Sequence, residues 1–352
     1  MSVIFYKQKP IIGFDISKTS IKVMSVDTAK MLVHGYGAID LDPAKVSDDM
    51  NDATITYLSE KTAELFTKKT TGVLSSQRAV IGIPTARTFF RTFTLPSNQA
   101  ANIKEAVNLE SEQYIPIALD SLYLDYQITD RAKEQLTVAM CAAPRKMIDG
   151  ILKVAHYCGI DAAMIEPSMN AVARLLKRTE EGSLPTIVID IDSATTDIAI
   201  LIDSTVQVTG GLSIGGNTFT LDIAKKLGVP LEAAHQLKVL NGLSAGPRRA
   251  KLTDALKPNL SKIVHETKRI MRYYGDRFPD GKKIEQVLVV GSGSNIPGIG
   301  EFFTNELVMP VRTASPWQAL NFGTLAPPAK QVRARFMAAA GLAMVQPEDI
   351  WS

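Results

Sequence analysis

A two-lobed α/β protein is the fold this sequence predicts, and three observations predict it. The segment Ile11-Ile12-Gly13-Phe14-Asp15-Ile16-Ser17-Lys18-Thr19-Ser20-Ile21-Lys22-Val23 is an apolar, β-branched run that ends in an Asp, turns through small polar residues and resumes as a second apolar strand. That is the pattern of a β-hairpin. Ile187-Val188-Ile189-Asp190-Ile191-Asp192-Ser193-Ala194-Thr195-Thr196-Asp197-Ile198-Ala199-Ile200 repeats it about half a chain later, as expected of two similar halves facing each other. The third observation is size: 352 residues, 45% of them apolar, fill at least two ordinary cores.

Taken in order, the first lobe opens with the hairpin at 11–26 and a third strand at 31–39. A polar stretch at 40–51 leads to a helix at 52–67, and Ala79-Val80-Ile81-Gly82-Ile83-Pro84 reads as the next strand. A β-meander followed by a crossover is the order of an α/β layer. From Arg87 the spacing predicts strand 88–95, helix 98–113, strands 122–128 and 136–141, helix 145–157 and strand 162–166, a βαββαβ or ferredoxin-like order. Pro96 and Pro116 bracket the first of those helices, because proline cannot continue the backbone ladder. A helix at 168–178 follows, and the polar run Thr179–Pro185 reads as the hinge between lobes. The second lobe repeats the opening with hairpin 187–202, strand 207–213 and the Gly215-Gly216-Asn217 turn. Residues 217–283 read as largely helical, and strand 286–290 returns the chain to the layer.

Composition excludes several classes of function. The net charge is +3, and no dense Lys/Arg stripe with interleaved aromatics is present, which argues against a nucleic-acid partner. Cys141 and Cys158 stand apart in apolar surroundings without CxxC spacing or clustered His. They read as buried reduced thiols in a cytoplasmic protein. No apolar run approaches the roughly 20 residues of a membrane span, and the N-terminus lacks the features of a secretory signal. Val3–Lys9 reads as a disordered lead-in or a small contact segment. Arg248, Arg249 and Lys251 form a basic knot, a solvated surface or a docking site. The end, Gln346–Ser352, is acidic and proline-broken, unlike a membrane-binding helix.

Three loops are suited to a nucleotide. A phosphate needs converging backbone N–H donors, small side chains and a cation. Ser17, Lys18, Thr19 and Ser20 supply one such turn, and Asp192, Ser193, Ala194, Thr195 and Thr196 the other. Asp15 and Asp190, at equivalent strand ends, suit Mg²⁺ held through its water shell. Lys22 either reaches a phosphate or lies on a solvated strand face. The third loop, Gly291-Ser292-Gly293-Ser294 after the strand Val287–Val290, lets backbone approach a flat ring or a ribose.

The order of these motifs resembles the actin-like ATPase superfamily. The resemblance implies two lobes with ATP or ADP and Mg²⁺ in the cleft, Asp15 and Asp190 at the metal, Lys22 at a phosphate and Gly291 to Ser294 at the adenosine. Ile165-Glu166-Pro167-Ser168 looks like a connecting segment in which Glu166 positions the attacking water; it reads equally as a strand end before a helix capped by Ser168. Within the superfamily, the inserted unit is similar to that of the division protein FtsA and of the PilM family of type IV pilus assembly proteins. Gln113-Tyr114-Ile115-Pro116, Asp125-Tyr126, Gly215-Gly216 with Asn217, Glu266-Thr267-Lys268-Arg269 and Asn295-Ile296-Pro297-Gly298 carry the likeness to PilM. The implied subdomains are 1–86 with 160–182, the insert 87–159, 183–216 with 285–352, and a helical part 217–284. Gly215, Gly216, Asn217, Glu266 and Arg269 join the implied nucleotide site.

Ser17, Asp192 and Ser292 depart from that family's usual glycines. An added carboxylate at Asp192 is costly beside phosphates unless Mg²⁺ or Lys18 offsets it, so ATP hydrolysis is expected to be slow or absent. The resemblance further implies a cytoplasmic adaptor of type IV pilus or related type II secretion assembly at the inner face of the membrane that binds the N-terminal tail of a PilN-like bitopic protein, with other pilus assembly proteins or self-association as further contacts. Phe89, Phe90, Phe93, Tyr114, Tyr123 and Tyr126 line the partner groove in this reading, or are plain core. A sugar kinase and an FtsA- or MreB-like filament are the competing classes.

Overall fold

A computed structural model describes residues 11–346 and 350, apart from 75, 181–183, 245, 247 and 248. Part of the Thr179–Pro185 hinge, Arg248 of the basic knot, the N-terminal lead-in and nearly all of the acidic end lie outside the described residues.

The first lobe contains β1 (Ile12–Ile16), β2 (Ser20–Asp27), β3 (Leu32–Asp40), α1 (Asp52–Lys68), β4 (Thr70–Gly72) and β5 (Arg78–Ile83). It then runs through β6 (Phe89–Pro96), α2 (Ile103–Tyr114), β7 (Leu122–Arg131), β8 (Gln135–Pro144), α3 (Arg145–Tyr157), β9 (Asp161–Pro167) and α4 (Ser168–Thr179). The second lobe has β10 (Thr186–Ile191), β11 (Thr196–Ile202), β12 (Thr205–Leu212), α5 (Gly216–Leu227), α6 (Leu231–Leu240) and α7 (Arg249–Arg277). It closes with β13 (Gln286–Val290), α8 (Ile299–Leu307), β14 (Val311–Thr313), α9 (Lys330–Arg333) and α10 (Met337–Leu342). Among the described residues, no helix is long and apolar enough to cross a membrane.

The two main sheets share one topology. Their orders are β4-β3-β2-β1-β5-β9 and β12-β11-β10-β13-β14. In each, a three-stranded antiparallel meander is extended by two parallel strands. Strands β1, β10 and β13 are buried almost throughout, as parallel strands covered on both faces must be. Helices α1 and α3 cover one face of the first sheet with an apolar core built on Phe14, Leu58, Leu65 and Val154. Helices α5, α7 and α8 cover the outer face of the second with Phe219, Leu256, Ile263 and Phe303. Between the sheets, α4 and α10 share a core that takes Met24 from one lobe and Val188 and Leu288 from the other. They cross closely enough that a Cβ on Gly341 would meet the Ala171 carbonyl oxygen at 1.8 Å. Any larger residue there would force the helices apart.

The insert differs from the expected βαββαβ unit. Its sheet has three antiparallel strands in the order β6-β8-β7, and α2 packs on them through Val107. The predicted fourth strand, β9, pairs in parallel with β5 in the main sheet. The second predicted helix, α3, buries Met147, Ile151 and Val154 in the first-lobe core. Element order alone does not say which sheet a strand joins; the parallel register with β5 decides it here. The first predicted helix starts late, because residues 97–102 form a 3₁₀ turn after Pro96.

Candidate functional site

Both hairpins bring their Asp and the residue seven positions later into direct cross-strand register. Asp15 pairs with Lys22, and Asp190 with Asp197. The two pairs line one cavity of about 50 Å³ between the lobes, together with Ser17, Pro84, Ser168, Asp192, Thr195, Gly291 and Arg335.

The first pair is a closed ion pair. Lys22 Nζ lies 2.9 Å from Asp15 Oδ2 and 3.4 Å from Asp192 Oδ2, so one ammonium ties the two lobes together. Both Lys22 and Asp15 are buried. Burial alone would lower the Lys22 pKa, but Asp15 and Asp192 outweigh it and raise the pKa above the ordinary lysine value. The solvated-face reading of Lys22 is thereby overturned. The Ser168 hydroxyl donates within reach of Asp15 Oδ1, at 2.9 Å.

The second pair has no cation of its own. Burial, followed by the charges of Asp192 and Asp197, pushes Asp190 well above the usual carboxylate range. Burial and the charges of Asp192 and Asp15 push Asp197 up to about 7, and Asp197 Oδ1 has no hydrogen-bond partner. Burial also pushes Asp192 upward, yet Lys22 and the Ser193 amide prevail and its pKa is lowered. The expected compensator, Lys18, points elsewhere: its Nζ is 3.2 Å from Asp48. Lys22 takes that role.

The loops place the remaining residues around the cavity or behind it. In the first turn the Ser17 hydroxyl accepts from the Ser20 amide at 3.1 Å and the Thr19 amide at 3.4 Å, which occupies donors that a glycine at this position would leave free. In the second, Asp192 O and Ser193 O accept the Gly216 and Asn217 amides at 2.9 and 2.8 Å. Ser193, Ala194, Gly215 and Asn217 thus anchor the turn to α5, and buried Thr196 donates to Ile214 O at 2.8 Å. Gly291 has φ +76°, and a Cβ there would meet Asp190 Oδ1 at 2.2 Å, so this position needs glycine. Behind it, the Ser294 hydroxyl holds Gly291 O at 2.7 Å, Ser292 Oγ lies 3.5 Å from Asp192 Oδ1, and Gly293 packs on Ile191.

Two expectations do not meet the geometry. Glu166 is buried with both oxygens bound by Arg174, at 2.6 and 2.9 Å, and it does not line the cavity. The Arg174 fork holds this carboxylate at the end of β9, before α4 and outside the cavity lining. Glu266 and Arg269 pair with each other at 2.5 and 2.8 Å on the side of α7 toward the insert, beside Gly210 and Tyr114 rather than at the cavity.

Three residues were missed from sequence. Asp197 was legible, since it follows Asp190 at the spacing by which Lys22 follows Asp15. Lys238 was partly legible: it falls one turn after buried Ala234. Its Nζ donates to Gly216 O at 2.7 Å and Thr220 Oγ1 at 2.9 Å, and burial lowers its pKa to about 8. Arg335, held to Asp40 at 2.5 Å over the cavity, had no local signal.

Among the described residues, no group of three or more His, Cys, Asp or Glu is close enough to hold a metal by itself. The donor set nevertheless fits a water-shelled divalent cation, because Mg²⁺ takes few protein carboxylates and Asp197, which lines the cavity, has one oxygen without a hydrogen-bond partner.

Two lobes of repeated topology that meet at facing acidic hairpins define the actin-like ATPase fold. The chain belongs to the family described as type IV pilus assembly protein PilM, whose sequence profile matches residues 13–346. It is 25% identical over 255 residues to the cell division protein FtsA of Neisseria meningitidis serogroup B, covering 62% of this chain and 59% of that protein. Its match to FtsA of Pseudomonas aeruginosa is 26% identical and covers 53% and 49%, so the chain spans about half the length of these relatives. Among solved structures, a PilM-PilN type IV pilus biogenesis complex superposes with a TM-score of 0.80 at 21% identity, over 97% of this chain and 100% of that one. MreB5 of Spiroplasma citri bound to AMPPNP gives 0.55 at 13% identity, over 95% of both chains.

Proposed function

We propose that the chain is an ATP-binding adaptor of type IV pilus assembly, placed at the inner face of the cytoplasmic membrane by a PilN-like bitopic partner, with nucleotide setting how far the lobes close. The observation that carries this reading is the cavity between the hairpins, where Asp15, Asp190, Asp192 and Asp197 face Lys22 and Arg335. Four carboxyl groups against two cationic side chains suit a divalent cation arriving with a triphosphate. Asp15, Asp190 and Asp197 would hold Mg²⁺ through water, and the ion would offset phosphate charge. Lys22 holds Asp15 in place and bridges to Asp192. A cavity of about 50 Å³ is smaller than a triphosphate, so binding requires the Lys22–Asp192 contact to lengthen. Lobe angle and occupancy are then linked. Among the described residues, the carboxylate nearest to a kinase's base in the sequence, Glu166, is bound by Arg174 and lies outside the cavity lining.

The partner reading draws support from the solved PilM-PilN complex of the same fold and from the outer edge of β7, which among the described residues pairs with β8 alone. An extended tail adds to such an edge and fills pockets with alternate side chains. Tyr123 is exposed beside it, with its hydroxyl 2.9 Å from Asp149 on α3. Phe90 and Phe93 are core residues, and Phe89 and Tyr126 pack against the insert core. Tyr114 faces the second lobe.

The test is titration of the purified chain with a fluorescent ATP analogue, with and without Mg²⁺, and then with a PilN-like tail peptide. We expect saturable, Mg²⁺-dependent nucleotide binding, and a peptide affinity that shifts when nucleotide is present. Absence of nucleotide binding, or turnover of an acceptor near the enzyme median of about 10 per second, overturns the adaptor reading.

A further inference from the structure

The junction between the insert and the second lobe holds another polar cavity, of about 180 Å³, away from both the hairpin cleft and the outer edge of β7. Arg91 and Thr92 of β6, Tyr114 at the end of α2, and Arg269, Tyr273 and Arg277 of α7 line it. No Asp or Glu is in the lining. Glu266 holds Arg269 from one side, while Arg91 and Arg277 make no ion pair among the described residues. The Arg91 guanidinium stacks over the Tyr114 ring, 4.6 Å from its centroid, which fixes its plane.

Two polar atoms here are buried without a hydrogen-bond partner: Arg91 Nε and the hydroxyl of Thr92, a residue only 3% exposed. Leaving a buried polar group unpaired forfeits its hydration without return, and such exceptions in a folded chain call for an explanation. Three arginines around a cavity without acid suggest one: the acceptor is a ligand.

We infer that this cavity is an anion site for a phosphate group. Guanidinium forks match the oxygens of carboxylate and phosphate, but the two classes differ in acceptor capacity. The guanidiniums of Arg91 and Arg277, the N–H groups that Glu266 leaves on Arg269, two phenols and a hydroxyl exceed what the two oxygens of a carboxylate accept, and suit the three terminal oxygens of a phosphate. A cavity of about 180 Å³ admits phosphate or a small phosphate monoester. Its lining shares no residue with the hairpin cleft, so the site stands apart from the nucleotide reading of that cleft.

The experiment is calorimetric titration of the full chain with inorganic phosphate, glycerol phosphate and succinate. We expect saturable binding of phosphate, weaker binding of succinate, and a loss of about tenfold or more in phosphate affinity in both Arg91→Gln and Arg277→Gln. Arg131→Gln, exposed at the far end of β7 and outside both cavities, should bind phosphate as the parent does. Thr92→Val supplies a readout that a purely structural role would not move: it should raise the melting temperature, by removing an unpaired hydroxyl, while weakening phosphate binding severalfold. Glycerol phosphate binding as tightly as phosphate points to a monoester ligand, and much weaker binding to the free ion; either supports the site. No saturable phosphate binding, equal affinity for succinate, or unchanged affinity in Arg91→Gln and Arg277→Gln overturns it.

Discussion

The two hairpins of this protein are built alike and charged differently. Each pairs an Asp with the residue seven positions on, in the same register of the same sheet topology. In the first lobe that partner is Lys22 and the pair is closed at 2.9 Å; in the second it is Asp197 and the pair repels. One hairpin carries its own counter-ion, while the other leaves charge for something outside the chain to neutralise. A repeated fold thus yields an asymmetric site through one side chain.

The largest effect should come from Lys22→Met. Removing this ammonium strands buried Asp15 and frees Asp192, so unfolding in urea should show a loss of about 3–5 kcal/mol. A loss below about 1 kcal/mol would mean that water already screens the pair, and the contrast between the hairpins would dissolve.

Asp197→Asn tests the opposite hairpin through pH. Because the folded carboxyl keeps its proton up to about 7 while the unfolded one loses it near 4, the native state binds more protons across that window. Stability therefore falls as pH rises from about 4 to about 7, by up to about 1.4 kcal/mol per pH unit, and levels off above. The Asn variant should flatten that slope in melts across the range and weaken Mg²⁺-nucleotide binding about tenfold. An unchanged slope would assign the repulsion to Asp190.

The smallest effect is expected of Asp192→Gly, which removes the cross-lobe contact at 3.4 Å. The loss should be near 1 kcal/mol. Nucleotide affinity should rise, as a carboxylate leaves the phosphate path and the lobes part more easily. Weaker nucleotide binding in this variant would make Asp192 a ligand rather than a latch.

Much of this site was legible before the structure. Asp15 and Asp190 end β-branched runs, and Gly291 follows an apolar strand; local pattern is enough to place such residues at strand ends. Glu166 and Arg269 stand outside the cavity lining, each with an ion-pair partner on its own or the next element, Arg174 and Glu266, and an ion pair leaves no trace in periodicity. The insert was overextended for a similar reason. Its last helix and strand have the expected propensities, but their buried faces belong to another core.

What the sequence determined by itself is the set of elements, the repeat of the hairpins and the acids at their ends, because alternation, turn residues and β-branching act within a few residues. Only the tertiary structure decided that Lys22 spans the cleft to Asp192, that Asp197 lies unpaired beside Asp190, and that Arg335 closes over both from the far end of the chain. Those outcomes depend on how two sheets are held across α4 and α10, and charge acts through space with no regard for distance along the chain.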